Sequence, residues 1–272
     1  MTLHFYLRYS TKFGQAIFVS GNTPALGNDD GTNGLALTYL NDQLWHGSVE
    51  IDAKDREVPV CYRYILKDED GALYTEFGND RLVEPQKSKA SKIVVYDTWN
   101  YAGEYENAFF TAPFTDVLLK RNGVKETTSK KNAKATHQFK VKAPVLKQDE
   151  MICISGSGVV FNDWDKEKVL LLSKKDNWWT IELDLGNAVF PQGYKYGIYN
   201  STDKRFTRFE DGNNRVLLSE DGADAFTILH DGFAKLNNVN WKAAGVAIPV
   251  FSLRSKKSFG TGEFADLNLL VD

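Results

Sequence analysis

The chain has 272 residues, a formal net charge of −3 and 25% charged residues. That balance lacks the basic footprint of a nucleic-acid binder, and no apolar run approaches the ~20 residues that span a bilayer. The two cysteines, Cys61 and Cys153, exclude a disulfide scaffold and a cysteine-rich zinc site.

Both cysteines sit inside apolar runs and read as buried thiols, with the cytoplasm as the default compartment. The opening MTLHFYLRYS has no charged-then-apolar leader. Aromatics reach 13%, more than a strand-rich core alone needs, and suggest surfaces that stack on something flat and amphipathic.

Short alternating runs broken by turn residues predict an all-β chain. In chain order the predicted strands are Leu3–Tyr9, Gln15–Ser20, Leu35–Leu40, Leu44–Ile51, Val58–Lys67, Ala72–Thr75 and Ile93–Asp97. The segments between them, such as GNTPALGNDDGTNG and KDEDG, are turn chemistry. The same grammar returns in His137–Lys142, Met151–Ser155, Val169–Leu172, Trp178–Leu185, Tyr194–Asn200, Lys204–Glu210, Arg215–Leu218 and Ala225–His230.

The halves read as one repeated unit. LWHGSVEI matches WWTIELDL, YRYI matches YKYG, and EFGNDR matches EDGNNR. The offsets are 134 (Trp45 to Trp179), 132 (Tyr62 to Tyr194) and 134 (Arg81 to Arg215). The expected organisation is therefore a sandwich over 1–99, a partly packed linker over 100–133, a second sandwich over 134–233 and a different segment over 234–272. In the linker, Asn107–Arg121 is apolar enough to pack, and Asn122–Lys134 is the expected hinge. Beyond residue 232, one buried-type strand (Gly245–Phe251) and an amphipathic start, EFADLNLLVD, read as a βα opening whose remainder is missing.

No catalytic constellation emerges over residues 1–232. The four histidines lack metal-ligand spacing to one another or to a cysteine. GxSxG is absent. A carboxylate pair ~5–10 Å apart across a cleft is not legible in scattered turn acids. Trp45 and Trp179 open alternating strands and read as core. Trp164 sits in the polar turn FNDWDKEK and reads as exposed. The Arg81 and Arg215 turns read as structural pins.

With those residues in view, the order of a GN-x-P-x-LG turn, a W-x-x-x-V-E strand, a Y-[KR]-Y strand and an E-x-G-N-x-R turn resembles the family 20 starch-binding carbohydrate-binding modules. The resemblance covers both halves. It implies two immunoglobulin-like antiparallel sandwiches that bind α-1,4-glucans, without cofactor or metal. The family's first site would fall on Trp164, Lys195, Phe209 and Asn214. In the first half Asp29 replaces the first Trp, Arg63 the Lys, and Tyr74 is the second aromatic at best. The family's second site would fall there on Phe13 and Tyr39.

The tail GVAIPVFSLRSKKSFGTGEFADL is similar to the start of the (β/α)8 barrel of family 77 4-α-glucanotransferases, the amylomaltases or disproportionating enzymes. That likeness implies a parent that transfers glucan segments, with its catalytic carboxylates beyond Asp272, and a chain that is not itself the catalyst. The rival expectation is a pair of immunoglobulin-like docking modules that contact the parent barrel or a partner subunit. The two expectations differ at Trp164: a sugar platform needs it solvent-facing near Lys195, whereas a docking face would surround it with apolar residues.

Overall fold

A computed structural model describes residues 1–52, 54–78, 81–111, 113–114, 134–218, 221–222, 224–236, 252–253 and 269–270. Two compact units result, Met1–Lys235 and Leu236–Asp272. The larger is nearly all β, with short 3-10 turns. Its first nine strands are β1 (Thr2–Arg8), β2 (Ala16–Gly21), β3 (Leu35–Ala36), β4 (Thr38–Asn41), β5 (Leu44–Glu50), β6 (Val60–Lys67), β7 (Leu73–Thr75), β8 (Arg81–Val83) and β9 (Lys92–Thr98). The next nine are β10 (His137–Lys142), β11 (Glu150–Gly156), β12 (Leu170–Leu171), β13 (Ser173–Lys175), β14 (Trp178–Leu183), β15 (Gln192–Asn200), β16 (Arg205–Phe209), β17 (Arg215–Leu217) and β18 (Ala225–Phe233).

The second nine repeat the pairing of the first. β1 lies between β5 and β9, as β10 lies between β14 and β18. β6 pairs with β2, β7 and β8, as β15 pairs with β11, β16 and β17. Strict alternation drives each strand: β1 (TLHFYLR) buries Leu3, Phe5 and Leu7, and β10 (HQFKVK) buries His137, Phe139 and Val141. Each fully buried Leu or Phe side chain contributes about 1.5–3 kcal/mol. Trp45 and Trp179 stand across from Leu7 and Val141 and are 6% and 7% exposed, so both are core.

The sheets are not purely antiparallel. β1 pairs with β9, and β10 with β18, in parallel, because seven intervening strands supply the crossover that a parallel pair requires. β9 and β18 also pair in parallel, Lys92 with Ala225 through Asp97 with His230. The result is one eight-stranded sheet, β13-β14-β10-β18-β9-β1-β5-β4, running through both halves. Two five-stranded sheets complete the cores. The expected separation of the halves by a hinge is thus replaced by a shared sheet.

Two short strands, β8 and β13, were not expected from the sequence, because three residues give too brief an alternation to read. In the linker, Tyr105–Phe110 forms a 3-10 turn, Phe110 packs on Phe233, and Asn107 is buried in a reciprocal amide pair with Asn100. The expected hinge, apart from Lys134, and the strand Gly245–Phe251 lie outside the described residues. In the smaller unit, β19 (Ser252–Leu253) pairs antiparallel with β20 (Leu269–Leu270), so Leu269 and Leu270 are extended where a helix start was expected.

Candidate glucan-binding site

On β15 the side chains alternate: Tyr194, Tyr196 and Ile198 enter the core, while Gly193, Lys195 and Gly197 face outward. That outward row is the floor of the site. Gly197 lies opposite Phe209, is itself buried, and has no room for a side chain. A Cβ there would stand 2.7 Å from the Phe206 ring, which itself packs 4.5 Å from Phe209. At the other end, a Cβ on Gly193 would meet Trp164 at 3.7 Å and the Asn214 amide at 4.0 Å.

Trp164 ends the 3-10 segment Val159–Trp164 and meets Phe209 edge to face, with centroids 5.8 Å apart and planes at 81°. Both rings are half-buried and Asn214 is exposed. The Lys195 ammonium donates to the carbonyls of Glu210 (3.2 Å) and Gly212 (2.6 Å). An ammonium has three donors, so one remains for a ligand hydroxyl. The four residues singled out in the second half therefore come together as an aromatic corner rimmed by an amine and an amide.

The turn that presents Trp164 is left-handed over three residues, with φ of 58° at Asn162, 47° at Asp163 and 63° at Trp164. The first half repeats it at Gly27, Asn28 and Asp29, with φ of 83°, 52° and 64°. Gly, Asn and Asp tolerate this region, but a bulky aromatic there is strained by about 1–3 kcal/mol. Asp163 anchors the turn by accepting from the Gly158 backbone at 2.8 Å. Sequence reasoning missed this strain. The G-N-D and N-D-W runs, rich in residues that adopt positive φ, were the available signal.

The matching surface of the first half is differently built. Asp29 stands where Trp164 stands, and Arg63 where Lys195 stands. Ile65 fills the place of Gly197, and its side chain would meet a Cβ on Gly31 at 2.6 Å. Register corrects the second aromatic: Thr75, not Tyr74, lies opposite Ile65 as Phe209 lies opposite Gly197. Tyr74 lies opposite Leu66, one residue away and hence on the other face. It is 52% exposed at the sheet edge. Phe13 is wholly exposed on its loop. Tyr39 is 52% exposed and meets the buried Trp45 edge to face at 5.4 Å.

Beneath each floor lies a buried carboxylate that the sequence reading did not single out. Asp97 accepts from Tyr62 (2.8 Å), Tyr64 (2.7 Å) and His230 Nδ1 (2.5 Å), and pairs with Arg81 Nε at 3.3 Å. Asp231 accepts from Tyr194 and Tyr196 (both 2.8 Å) and from Arg8 at 3.0 Å. Burial would raise Asp97, but the Arg81 charge and the donors hold it well below the usual carboxylate range. Burial first, then the adjacent aspartate, pushes all four tyrosines far up, so they remain donors. Arg81 binds Glu76 and donates to the Thr98 carbonyl of β9, and Arg215 binds Glu210 at 2.9 Å and donates to the Asp231 carbonyl of β18, so the two E…R turns pin the outer sheets to the shared one. The signal was the Y-x-Y pair, since two inward phenols require a buried acceptor.

Neither cysteine is in a disulfide; Cys153 is buried, while Cys61 is half-buried because it takes the outward position of Gly193 on β6. Among the described residues no group of three or more potential metal ligands gathers.

Residues 1–94 match the family CBM_20, starch binding domain. The 4-alpha-glucanotransferase DPE2 of Oryza sativa subsp. japonica is 32% identical over 287 aligned residues, which take in 100% of this chain and 30% of that protein. Among solved structures, the glycoside hydrolase family 15 glucoamylase from Hypocrea jecorina is 30% identical, with a TM-score of 0.31 over 36% of this chain and 17% of its own. The family 20 module of the maltotetraose-forming amylase from Pseudomonas saccharophila STB07 is 16% identical, with a TM-score of 0.31 over 36% of this chain and 100% of its own. The first 94 residues thus carry a starch-binding domain, in a chain that spans under a third of its glucanotransferase homologue.

Proposed function

We propose that residues 1–99 and 134–233 are two immunoglobulin-like starch-binding modules that hold α-1,4-glucan chains for a cytoplasmic 4-α-glucanotransferase of the amylomaltase type, whose barrel begins in the 234–272 segment. The starch-binding match supports the first module, and the repeated nine-strand pairing supports a second of the same kind. The rice homologue supports the transferase context.

The observation that carries glucan binding is the corner of Trp164 and Phe209 with Lys195 and Asn214 at its rim. Aromatic faces cover the apolar side of a sugar ring while the amine and amide meet its hydroxyls. The starch-binding match over residues 1–94 supports glucan binding over the rival docking reading. Each stack is worth roughly 0.5–1.5 kcal/mol beyond area burial, which places one site in the ~μM–mM range. In the first module Phe13 and Tyr39 are the proposed contacts, with Arg63 secondary. Calorimetric titration with maltoheptaose, repeated on Trp164→Ala and on Tyr39→Ala, tests both. Saturable binding weakened by each change is expected, and no heat from the unaltered protein would refute the assignment.

A further inference from the structure

His4 and His46 lie 42 residues apart in the sequence, too far for any local ligand motif. The pairing of β1 with β5 brings them together. Tyr6 stands opposite His46, and Ser48 opposite His4, so the two histidines are diagonal neighbours on adjacent strands, on the face opposite the first core. Their facing nitrogens, His4 Nδ1 and His46 Nε2, are 3.1 Å apart, and the ring planes differ by only 21°. Tyr6 packs on the His46 ring at 4.4 Å and on Tyr96 at 4.7 Å, which supports the pair from one side. Both histidines are half-buried and so keep access to solvent.

Two ring nitrogens in such contact share one hydrogen: one donates and the other accepts. Burial, and at His4 also the neighbouring His46, lowers both imidazoles from their ordinary value, so both are neutral near pH 7. Among the charges acting on His4, Asp221 and Glu50 favour a cation and Lys92 opposes it. Moving the shared hydrogen to the outer nitrogen of its own ring turns both facing nitrogens into lone-pair donors, with no proton lost.

We propose that His4 Nδ1 and His46 Nε2 chelate one divalent transition cation of the imidazole-preferring class, such as Zn²⁺. Bonds of about 2.0–2.1 Å from nitrogens 3.1 Å apart meet at an angle of about 100°, between the square and tetrahedral values. Each ring pivots by about 40° to aim at that point, which half-exposed side chains allow without moving the strands. Among the described residues no third His, Cys, Asp or Glu joins them, so water fills the remaining positions. Neutral imidazoles select zinc, copper or nickel over magnesium and calcium, which take oxygen ligands. The site is separate from glucan binding, since neither ring belongs to the Trp164 corner or to the Phe13 and Tyr39 contacts.

The full chain is titrated calorimetrically with ZnCl₂ and with MgCl₂, and the Zn²⁺ titration is followed by nitrogen NMR of the histidine rings. Zn²⁺ should saturate at one equivalent, bind at least about tenfold more tightly than Mg²⁺, and shift the ring signals of His4 and His46 together. His137 and His230, 3% and 2% exposed, should keep their signals. His4→Gln and His46→Gln should each weaken Zn²⁺ binding by about tenfold or more, at least what the loss of a supporting residue costs a metal site. Zn²⁺ that fails to bind, or that shifts neither or only one of the two rings, overturns the proposal even if a variant fails to fold. Zn²⁺ affinity retained in either folded variant also overturns it and places the cation elsewhere. Equal affinity for Mg²⁺ overturns it in favour of a carboxylate site.

Discussion

Asp97 and Asp231 are counterparts on β9 and β18, yet they enter cores on opposite faces of one sheet. In the parallel register Asp97 lies beside His230, so Asp231, one residue on, points the other way. Asp97 collects Tyr62 and Tyr64 of one small sheet, and Asp231 collects Tyr194 and Tyr196 of the other. The halves are joined by main-chain pairing and by polar contacts, a buried one between His230 and Asp97 and a part-buried one between Arg8 and Asp231.

Removing Arg8 should therefore weaken both halves together. Asp231 is 3% exposed and would lose its ion-pair partner across the junction. The pair is part-buried and two tyrosines still donate to Asp231, so stranding its carboxylate costs about 1–3 kcal/mol. Arg8→Ala should lower the melting temperature in a single transition. Two separated transitions in a calorimetric melt would contradict the shared-sheet coupling.

Trp164 carries backbone strain at φ 63°, which Gly or Asn would relax. Trp164→Gly should abolish measurable maltoheptaose binding at the second module while holding or raising stability by about 1 kcal/mol. Trp164→Ala should cost about 1–3 kcal/mol of affinity. Titration beside thermal melts checks both, and a steep loss of stability on Trp164→Gly would make this tryptophan a packing residue.

Trp179 behaves oppositely because it is core. At 7% exposure its truncation to Ala leaves a large cavity worth about 3–5 kcal/mol. Trp45→Ala should match it, given 6% exposure at the equivalent position. Urea midpoints for the two variants should shift alike. A much milder effect at either site would break the equivalence.

Stability should fall as pH drops from about 6.5 to about 4. His230 and His137 both have folded-state values lowered from 6.5 to about 4. Burial is the leading cause at each; at His230 it outweighs the attraction of Asp97 and is reinforced by Lys140. In that window the unfolded chain binds protons that the folded chain refuses, so acid favours unfolding. The loss should reach roughly 1–3 kcal/mol per histidine by the bottom of the window. Denaturant titrations at pH 7 and pH 4.5 measure it, and His137→Gln should flatten the slope. A stability that rises on acidification would show that these imidazoles gain protons in the fold.

Alternation, turn residues and motif order were legible without coordinates because they are local. Period-two patterning located most strands of both halves, and the offsets of 132–134 aligned Trp45 with Trp179 and Arg81 with Arg215. The candidate site residues Trp164, Lys195, Phe209 and Asn214 came instead from the family resemblance that the motif order carries, because spacing alone does not say which side chains meet a ligand.

Three features needed the tertiary structure, each because it depends on residues far apart in sequence. Strand register, set by hydrogen bonds between β6 and β7, put Thr75 rather than Tyr74 at the Phe209 position. The parallel joining of β9 and β18 turned two repeats into one sheet; nothing in either strand's own pattern names its neighbour, since an apolar strand satisfies its backbone with whichever edge it meets. The partners of the Y-x-Y phenols follow from that same geometry. A buried hydroxyl requires an acceptor, but only the packing of β6 on β9 and of β15 on β18 decided that Asp97 and Asp231 supply it.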